Sequence, residues 1–194
     1  MELNNKIHLL RLARLEIATE LGLDWSNYSN AEKTTPSQEL KKNNGTFVTL
    51  NLDENLRGCI GQIQTTQSLE RTVKDNAYSS AFRDSRFAPL TNKEFNLINI
   101  EISILSEPVK LTYTNVDDLL NKIKKDEHGL IIHKGSRSAT FLPQVWEDIA
   151  TKQEFLQHLC MKAGLNYDEW KKNTLDVYTY TVEHFNEKEL GLKP

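Results

Sequence analysis

The segment Ile98-Asn99-Ile100-Glu101-Ile102-Ser103-Ile104 alternates strictly between isoleucine and polar residues. Successive side chains of a β-strand point to opposite faces of a sheet, so this period of two predicts a strand with one apolar and one polar face. If a helix covers the polar face, Glu101 becomes a buried acid that needs a partner such as Arg57 or Arg86. If that face is solvated, Glu101 needs no partner.

The residues on either side of this strand show both helical and strand patterns. The last strand is predicted at residues 175–185, and Pro36 is predicted to open a short helix through Leu40. Two pairs of predicted strands, 47–52 with 56–62 and 130–133 with 139–142, are close enough in sequence to form hairpins. Because hairpins pair neighbouring strands antiparallel and no strict βαβ rhythm is present, the predicted fold class is α+β, a mainly antiparallel β-sheet flanked by α-helices. The other strands are predicted at 47–52, 56–62, 130–133 and 139–142, and the other helices at 4–21, 69–83, 91–94, 116–124 and 151–164.

Composition and charge limit the class of protein. The chain has 194 residues, of which 38% are hydrophobic and 26% charged, as in an ordinary globule with one core and a small lobe attached. A net charge of -3 argues against nucleic acid as a partner. No apolar run resembles a secretory signal or the ~20 residues of a membrane helix. Two distant cysteines, Cys59 and Cys160, suit a reducing compartment, so we predict a cytoplasmic protein with no membrane segment.

The densest unusual feature is Leu56-Arg57-Gly58-Cys59-Ile60-Gly61, in which two glycines flank a cysteine inside a predicted strand. Glycine weakens strand pairing, so Gly58 and Gly61 indicate a bulge or a backbone that another group approaches closely. Arg57 offers a planar fork for a carboxylate or phosphate, and Cys59 offers a soft nucleophile. We therefore take Cys59 as the candidate catalytic residue and Arg57, Gly58 and Gly61 as candidate ligand-binding residues. A structural interpretation stays open, with Cys59 as a small buried hydrophobe and the glycines as a bend.

Three further polar residues join the candidate ligand-binding set. Asp84 and Arg86 follow the predicted helix 69–83 and either pair as a loop clamp or hold an anion, and the sequence favours the pair. Glu101 joins them because, if its face of the strand is covered, it needs a partner such as Arg57 or Arg86.

The remaining cysteine and histidines give no sign of a metal or cofactor. Cys160 lies on the apolar stripe of its predicted helix, which favours core packing. His133 is either a hydrogen-bonded edge histidine, which is favoured, or a base. The sequence has no phosphate loop, Rossmann glycine signature or nucleophile elbow. No metal-ligand spacing relates His8, His128, His158 and His184, so no metal and no cofactor are evident.

Five short motifs occur along the chain in a fixed order, and together they resemble the AMMECR family, known in prokaryotes as protein A of the AmmeMemoRadiSam system. The similarity runs from about Leu9 to Phe185. One departure is Ser85, where proline is common in the family. The motifs are Gly45-Thr46-Phe47-Val48-Thr49-Leu50, Leu56-Arg57-Gly58-Cys59-Ile60-Gly61, Asp84-Ser85-Arg86-Phe87, Phe141-Leu142-Pro143-Gln144-Val145-Trp146 and Lys162-Ala163-Gly164-Leu165.

This resemblance implies a single AMMECR-like domain over residues 1–194, with a core of about 9–185, an antiparallel sheet, flanking helices and a smaller sub-lobe. It also implies that the segment Leu56–Gly61 is the hallmark of the family, and that a dioxygenase-like Memo protein and a radical-SAM protein accompany such chains in prokaryotes. Whether the protein is an enzyme stays open. The first functional hypothesis is an enzyme or accessory component of a modification pathway that binds a small anionic ligand near Arg57, with Cys59 at the centre. The alternative is a non-catalytic adaptor that docks a Memo-like or radical-SAM protein.

Overall fold

A computed structural model describes residues 1–24 and 37–192. The chain forms two compact units, one of residues 1–105 with 183–194 and a smaller one of residues 106–182. The predicted helix start at Pro36 lies outside the described residues, and a short 3-10 helix occupies Gln38–Lys41. The prediction of a single AMMECR-like domain over residues 1–194 stays a prediction.

The first unit is built on a four-stranded sheet in the order β2-β1-β3-β8. Strand β1 pairs antiparallel with β2 on one side and with β3 on the other. The elements are helices α1 (Leu3–Glu20), α2 (Leu69–Phe82) and α3 (Asn92–Phe95), and strands β1 (Thr46–Leu52), β2 (Asn55–Gln62), β3 (Ile98–Leu105) and β8 (Val182–Asn186).

One face of this sheet carries the apolar core of the first unit. Ile100 and Ile102 of β3 are fully buried in a cluster that includes Leu10 of α1 and Val73 of α2. The predicted alternation of β3 is confirmed, because its isoleucines point into this core. Ser68 caps α2 by accepting from the backbone of Arg71, as its position before the apolar stripe predicts.

A buried ion pair ties the ends of the first unit together. Arg14 of α1 is 1% exposed and Glu187, which follows β8, is 5% exposed. The Arg14 Nε donates to Glu187 Oε1 over 2.5 Å. Its other nitrogens donate to the carbonyl oxygens of Phe95 and Ile98, and the Ile100 N–H donates to Glu187 Oε2. The guanidinium and the carboxylate therefore have several hydrogen bonds each, which an ion pair needs when it leaves water.

The second unit has its own sheet, in the order β4-β7-β5-β6, and its own core. Trp146 and Phe155 stack there with ring centroids 3.7 Å apart. Thr151 and Glu154 form the predicted capping box of α5. The elements are β4 (Val109–Lys110), α4 (Val116–Lys122), β5 (Gly129–Lys134), β6 (Arg137–Phe141), α5 (Lys152–Lys162) and β7 (Asp176–Tyr180).

The predicted α+β class, its mainly antiparallel pairing and its smaller sub-lobe are confirmed, but the single last strand at 175–185 is wrong. This segment forms two strands, β7 and β8, which belong to different sheets. The break falls at Thr181, whose carbonyl accepts from the Ser106 N–H over 2.9 Å and whose N–H donates to Ser106 Oγ over 3.0 Å. Both backbone groups of Thr181 are thus used by Ser106, although most side chains along the segment favour strand.

Candidate functional site

The segment Leu56–Gly61 forms most of β2, an edge strand of the first sheet. The register with β1 shifts between Leu50 and Asn51, which places a bulge at Arg57. On the helix-covered side, Gly58 lies opposite Leu50, and on the other side Cys59 lies opposite Thr49. The bulge predicted from the glycines is therefore present, and it sends Arg57 and Cys59 to different surroundings.

Helix α2 holds this strand through a polar stripe with a spacing of four residues. Asn76 Nδ2 donates to the Thr46 carbonyl over 2.8 Å. Ser80 Oγ donates to the Val48 carbonyl over 2.7 Å and accepts from the Ile60 N–H over 2.8 Å. The hydroxyl thus joins the backbones of β1 and β2. The stripe consists of the buried residues Thr72, Asn76 and Ser80 of α2, and Asp84 continues the same spacing just beyond the end of the helix.

Gly58 is required by the close approach of α2 to β2. A Cβ atom built on Gly58 would lie 2.2 Å from the carbonyl oxygen of Ser80, a distance that no side chain tolerates. The prediction that this glycine lets another element approach is confirmed. Gly61 has a different reason, since its Cβ would lie 2.3 Å from the ring of Phe47 on the neighbouring strand.

Asp84 and Arg86 form the predicted loop clamp, and they bind both backbone groups of Cys59. Asp84 Oδ2 accepts from the Cys59 N–H over 2.9 Å, and Arg86 Nη2 donates to the Cys59 carbonyl over 3.1 Å. The two side chains also pair with each other over 2.7 Å. The Arg86 guanidinium, helped by the Cys59 N–H, holds the pKa of Asp84 well below its usual range even though burial opposes this.

Arg57 is held in a second clamp with Glu94 of α3. Its Nε donates to Glu94 Oε1 over 2.7 Å, and its Nη2 donates to the Ala88 carbonyl over 2.9 Å. The Arg57 side chain is 13% exposed, and its buried Nη1 finds no partner among the residues described. Neither Arg57 nor Arg86 is the partner of Glu101, because each already faces another carboxylate. The site therefore contains two neutralised ion pairs.

The pKa of Glu94 makes a testable contribution to acid stability. Its ordinary value of 4.5 falls to about 2, chiefly through the hydrogen bond from Arg57. A lowered pKa stabilises the fold above pH 4.5, and this stabilisation is lost as the pH falls from 4.5 towards 2. Glu94→Gln should cost about 1–3 kcal/mol of unfolding free energy at pH 7 and much less at pH 2.5, measured by urea denaturation.

The control for this prediction is Glu20→Gln, which removes an exposed carboxylate at the end of α1. That variant should be within ~0.5 kcal/mol of wild type at both pH values. A Glu94→Gln deficit that stays the same from pH 7 to pH 2.5 would contradict the assigned pKa.

Cys59, Thr49 and Glu101 form a row across β2, β1 and β3 on the face of the sheet opposite the isoleucines, which we call the polar face. Thr49 Oγ1 donates to Cys59 Sγ over 3.3 Å, and the thiol is half-buried. With strands ~4.8 Å apart, about 10 Å separates the backbones of Cys59 and Glu101. Burial raises the pKa of Glu101, Glu189 raises it further and His184 opposes the shift.

A cavity of about 790 Å³ adjoins this row within the first unit. Glu101 lines this cavity, whereas Cys59 and Arg57 do not. The candidate residues therefore lie in three places: in the two clamps, in the row and on the cavity wall. Thr49, Asn99 and Asn186 were not among the site residues predicted from the sequence, because the strand register that brings them here is not visible in their spacing. The other polar lining includes Asn51, Asn99, Asn186, Lys188 and Glu189.

The remaining candidates are placed as follows. Cys160 is fully buried in the second core, as predicted, and burial raises the pKa of its thiol. His133 packs edge-on against Tyr178, with ring centroids 5.6 Å apart. Within residues 1–24 and 37–192, no three His, Cys, Asp or Glu side chains are grouped to hold a metal ion. None of the helices in these same ranges combines the length and apolarity needed to cross a membrane.

The fold and site define an α+β protein in which a helix and a loop clamp fix a glycine-flanked cysteine on an edge strand. Residues 10–185 match the AMMECR1 family model. The chain belongs to the AMMECR1 family.

Individual relatives agree with this assignment over most of their length. A protein of Methanopyrus kandleri is 37% identical over 93% of this chain and 87% of its own. A protein of Aquifex aeolicus is 33% identical, over 97% and 94%. The crystal structure of an uncharacterized protein from Pyrococcus horikoshii superposes with a TM-score of 0.72 at 33% identity, over 93% and 90% of the two chains.

Proposed function

We propose that the protein binds a small polar molecule on the polar face of its first sheet, as an enzyme or accessory component of a modification pathway. The observation that carries the proposal is the row Cys59, Thr49 and Glu101. This row places a half-buried thiol and a half-buried carboxylate on residues whose backbones are about 10 Å apart, beside a cavity. A molecule lying over Thr49 would touch both.

The carboxylate of Glu101 on the polar face differs from the carboxylates of the two clamps in its hydrogen bonding. Asp84 and Glu94 each accept several hydrogen bonds, whereas none of the described residues donates one to the Glu101 carboxylate. A partly buried acid with a raised pKa and no hydrogen bond is costly for stability, and such groups are concentrated at ligand sites. This supports a binding role for Glu101.

The clamps, in turn, support a positioning role for the hallmark segment. Asp84 and Arg86 fix the Cys59 backbone, so the thiol is held towards the polar face. The expectation of an anionic ligand gains no support from the arginines, since Arg57 and Arg86 already face carboxylates. We therefore propose a polar ligand held by the row. The arginines contribute by fixing the backbone around Cys59 and not by contacting the ligand.

Thiol labelling tests this proposal. Iodoacetamide should label native Cys59 and spare the fully buried Cys160, which serves as an internal standard. The small-molecule fraction of a host extract should slow Cys59 labelling, and mass spectrometry of the washed protein should find an enriched compound. Glu101→Gln should lower that enrichment at least tenfold, as expected for a lost hydrogen bond to a charged group.

Glu20→Gln is the matched control, because it makes the same chemical change on an exposed part of α1 and should enrich the compound as wild type does. Equal enrichment by wild type and Glu101→Gln would show that Glu101 binds nothing. An extract that neither slows Cys59 labelling nor leaves a compound on the protein would overturn the proposal.

The adaptor hypothesis has one observation in its favour. Leu56 and Leu97 are 43% and 65% exposed in the first unit. Two leucines are less than the contiguous apolar patch that marks a docking surface. Docking of a Memo-like or radical-SAM protein would gain support if native capture retained a protein and no small molecule.

A further inference from the structure

The cavity beside Glu101 contains two asparagine side chains whose orientation is fixed. Asn99 Oδ1 accepts from the Lys188 N–H over 3.0 Å, and Asn186 Oδ1 accepts from the Glu189 N–H over 2.9 Å. Since the oxygen of each amide is used by the backbone, the NH₂ group is the part left to meet another molecule. Both residues line the cavity.

Asn186 is the stronger of the two indications. It is only 9% exposed, yet no residue in the described part of the chain accepts a hydrogen bond from its Nδ2. The Nδ2 atom itself is not enclosed by the described residues, so its N–H groups open onto the cavity that Asn186 lines. An oxygen atom of a ligand in the cavity would accept a hydrogen bond from them.

The charged residues on the lining favour a positive group on the ligand, whereas the two amides favour ligand oxygens. Glu101 and Glu189 lie close enough for Glu189 to raise the pKa of Glu101. Among the described residues that line this cavity the one cation is Lys188, which is already paired with Glu54. His184, which opposes the pKa shift of Glu101, is not among the described residues that line the cavity, so within the cavity the two carboxylates repel each other and attract a positive group.

We propose that the cavity binds a small molecule in which a protonated amine lies next to hydroxyl or carbonyl oxygens. The amine contacts Glu101 and Glu189, and the oxygens accept from Asn99 and Asn186. This inference rests on the proposed function and adds the chemical class of its ligand. A cavity of about 790 Å³ holds a molecule the size of a monosaccharide with room to spare.

Four probes of similar size separate these requirements. Glucosamine has both features, glucose lacks the amine, cyclohexylamine lacks the oxygens and glucuronate reverses the charge. Each is titrated into the full-length, isotope-labelled chain, and binding is followed by the NMR shifts of the backbone amides at 99–101 and 186–189. Glucosamine should bind at least tenfold more tightly than any of the other three.

A pair of variants completes the test. Glu101→Gln should weaken glucosamine binding at least tenfold, whereas Glu20→Gln should leave it unchanged. Glucose binding as tightly as glucosamine would overturn the inference and leave the proposed function standing. Failure of all four probes at these amides would also overturn it, and the extract labelling of Cys59 then decides the proposed function separately.

Discussion

Gly58→Ala should destabilise the first unit by about 3 kcal/mol or more, because overpacking against an immovable group exceeds the usual 1–3 kcal/mol. The added methyl would lie 2.2 Å from the Ser80 carbonyl oxygen, which belongs to the backbone of α2. The helix would have to retreat, and the bonds from Ser80 to Val48 and Ile60 would lengthen. Urea denaturation measures the loss.

Faster iodoacetamide labelling of Cys59 should accompany this change, since the strand that holds the thiol loosens. Gln62→Ala, at the exposed end of the same strand, is the control and should change stability by less than ~0.5 kcal/mol. Ser80→Ala added to Gly58→Ala should not restore stability, because the obstacle is the main-chain oxygen. Wild-type stability in Gly58→Ala would show that α2 does not lie against this strand.

Arg14→Met should cost about 3–5 kcal/mol, because it leaves the buried carboxylate of Glu187 without its cation. It also removes the donors to the Phe95 and Ile98 carbonyls. The expected result is a large fall in the urea midpoint of unfolding. The control is Arg11→Met, an exposed position on the same helix, which should have little effect.

The double variant Arg14→Met with Glu187→Leu separates loss of charge pairing from loss of packing. Replacing both members by apolar residues removes the unpaired charge, so the double variant should be more stable than Arg14→Met alone. A double variant that is less stable than either single one would show that the remaining hydrogen bonds of the pair matter more than its charges.

Local patterns explain how much of the fold is predictable from the sequence. The alternation at Ile98–Ile104 and the capping box at Thr151 predict the observed strand and helix, since both are set by residues close in the chain. The break at Thr181 is not predictable, because it depends on two hydrogen bonds with Ser106, 75 residues away, one donated by each residue. Side-chain propensity says nothing about such a partner.

In the candidate site, too, features set by nearby residues are predictable and features that depend on distant partners are not. The need for a glycine at Gly58 is predictable, because glycine in a strand usually has a spatial reason. The row through Thr49 and the exposed amide of Asn186 require the register of β1, β3 and β8, which sequence spacing does not contain. The polar stripe on α2 is an intermediate case, since the four-residue spacing from Thr72 to Asp84 is visible beforehand, but its partner strand is not.

The hydrogen bond from Cys59 to Asp84 also bears on how the molecule avoids self-association. An edge strand normally offers unpaired N–H and C=O groups that can template growth into a larger intermolecular sheet. Here Asp84 and Arg86 occupy the N–H and the carbonyl of Cys59, at the middle of the edge formed by β2. The clamp that fixes the thiol thus also leaves fewer unpaired backbone groups on that edge for a strand of another molecule to pair with.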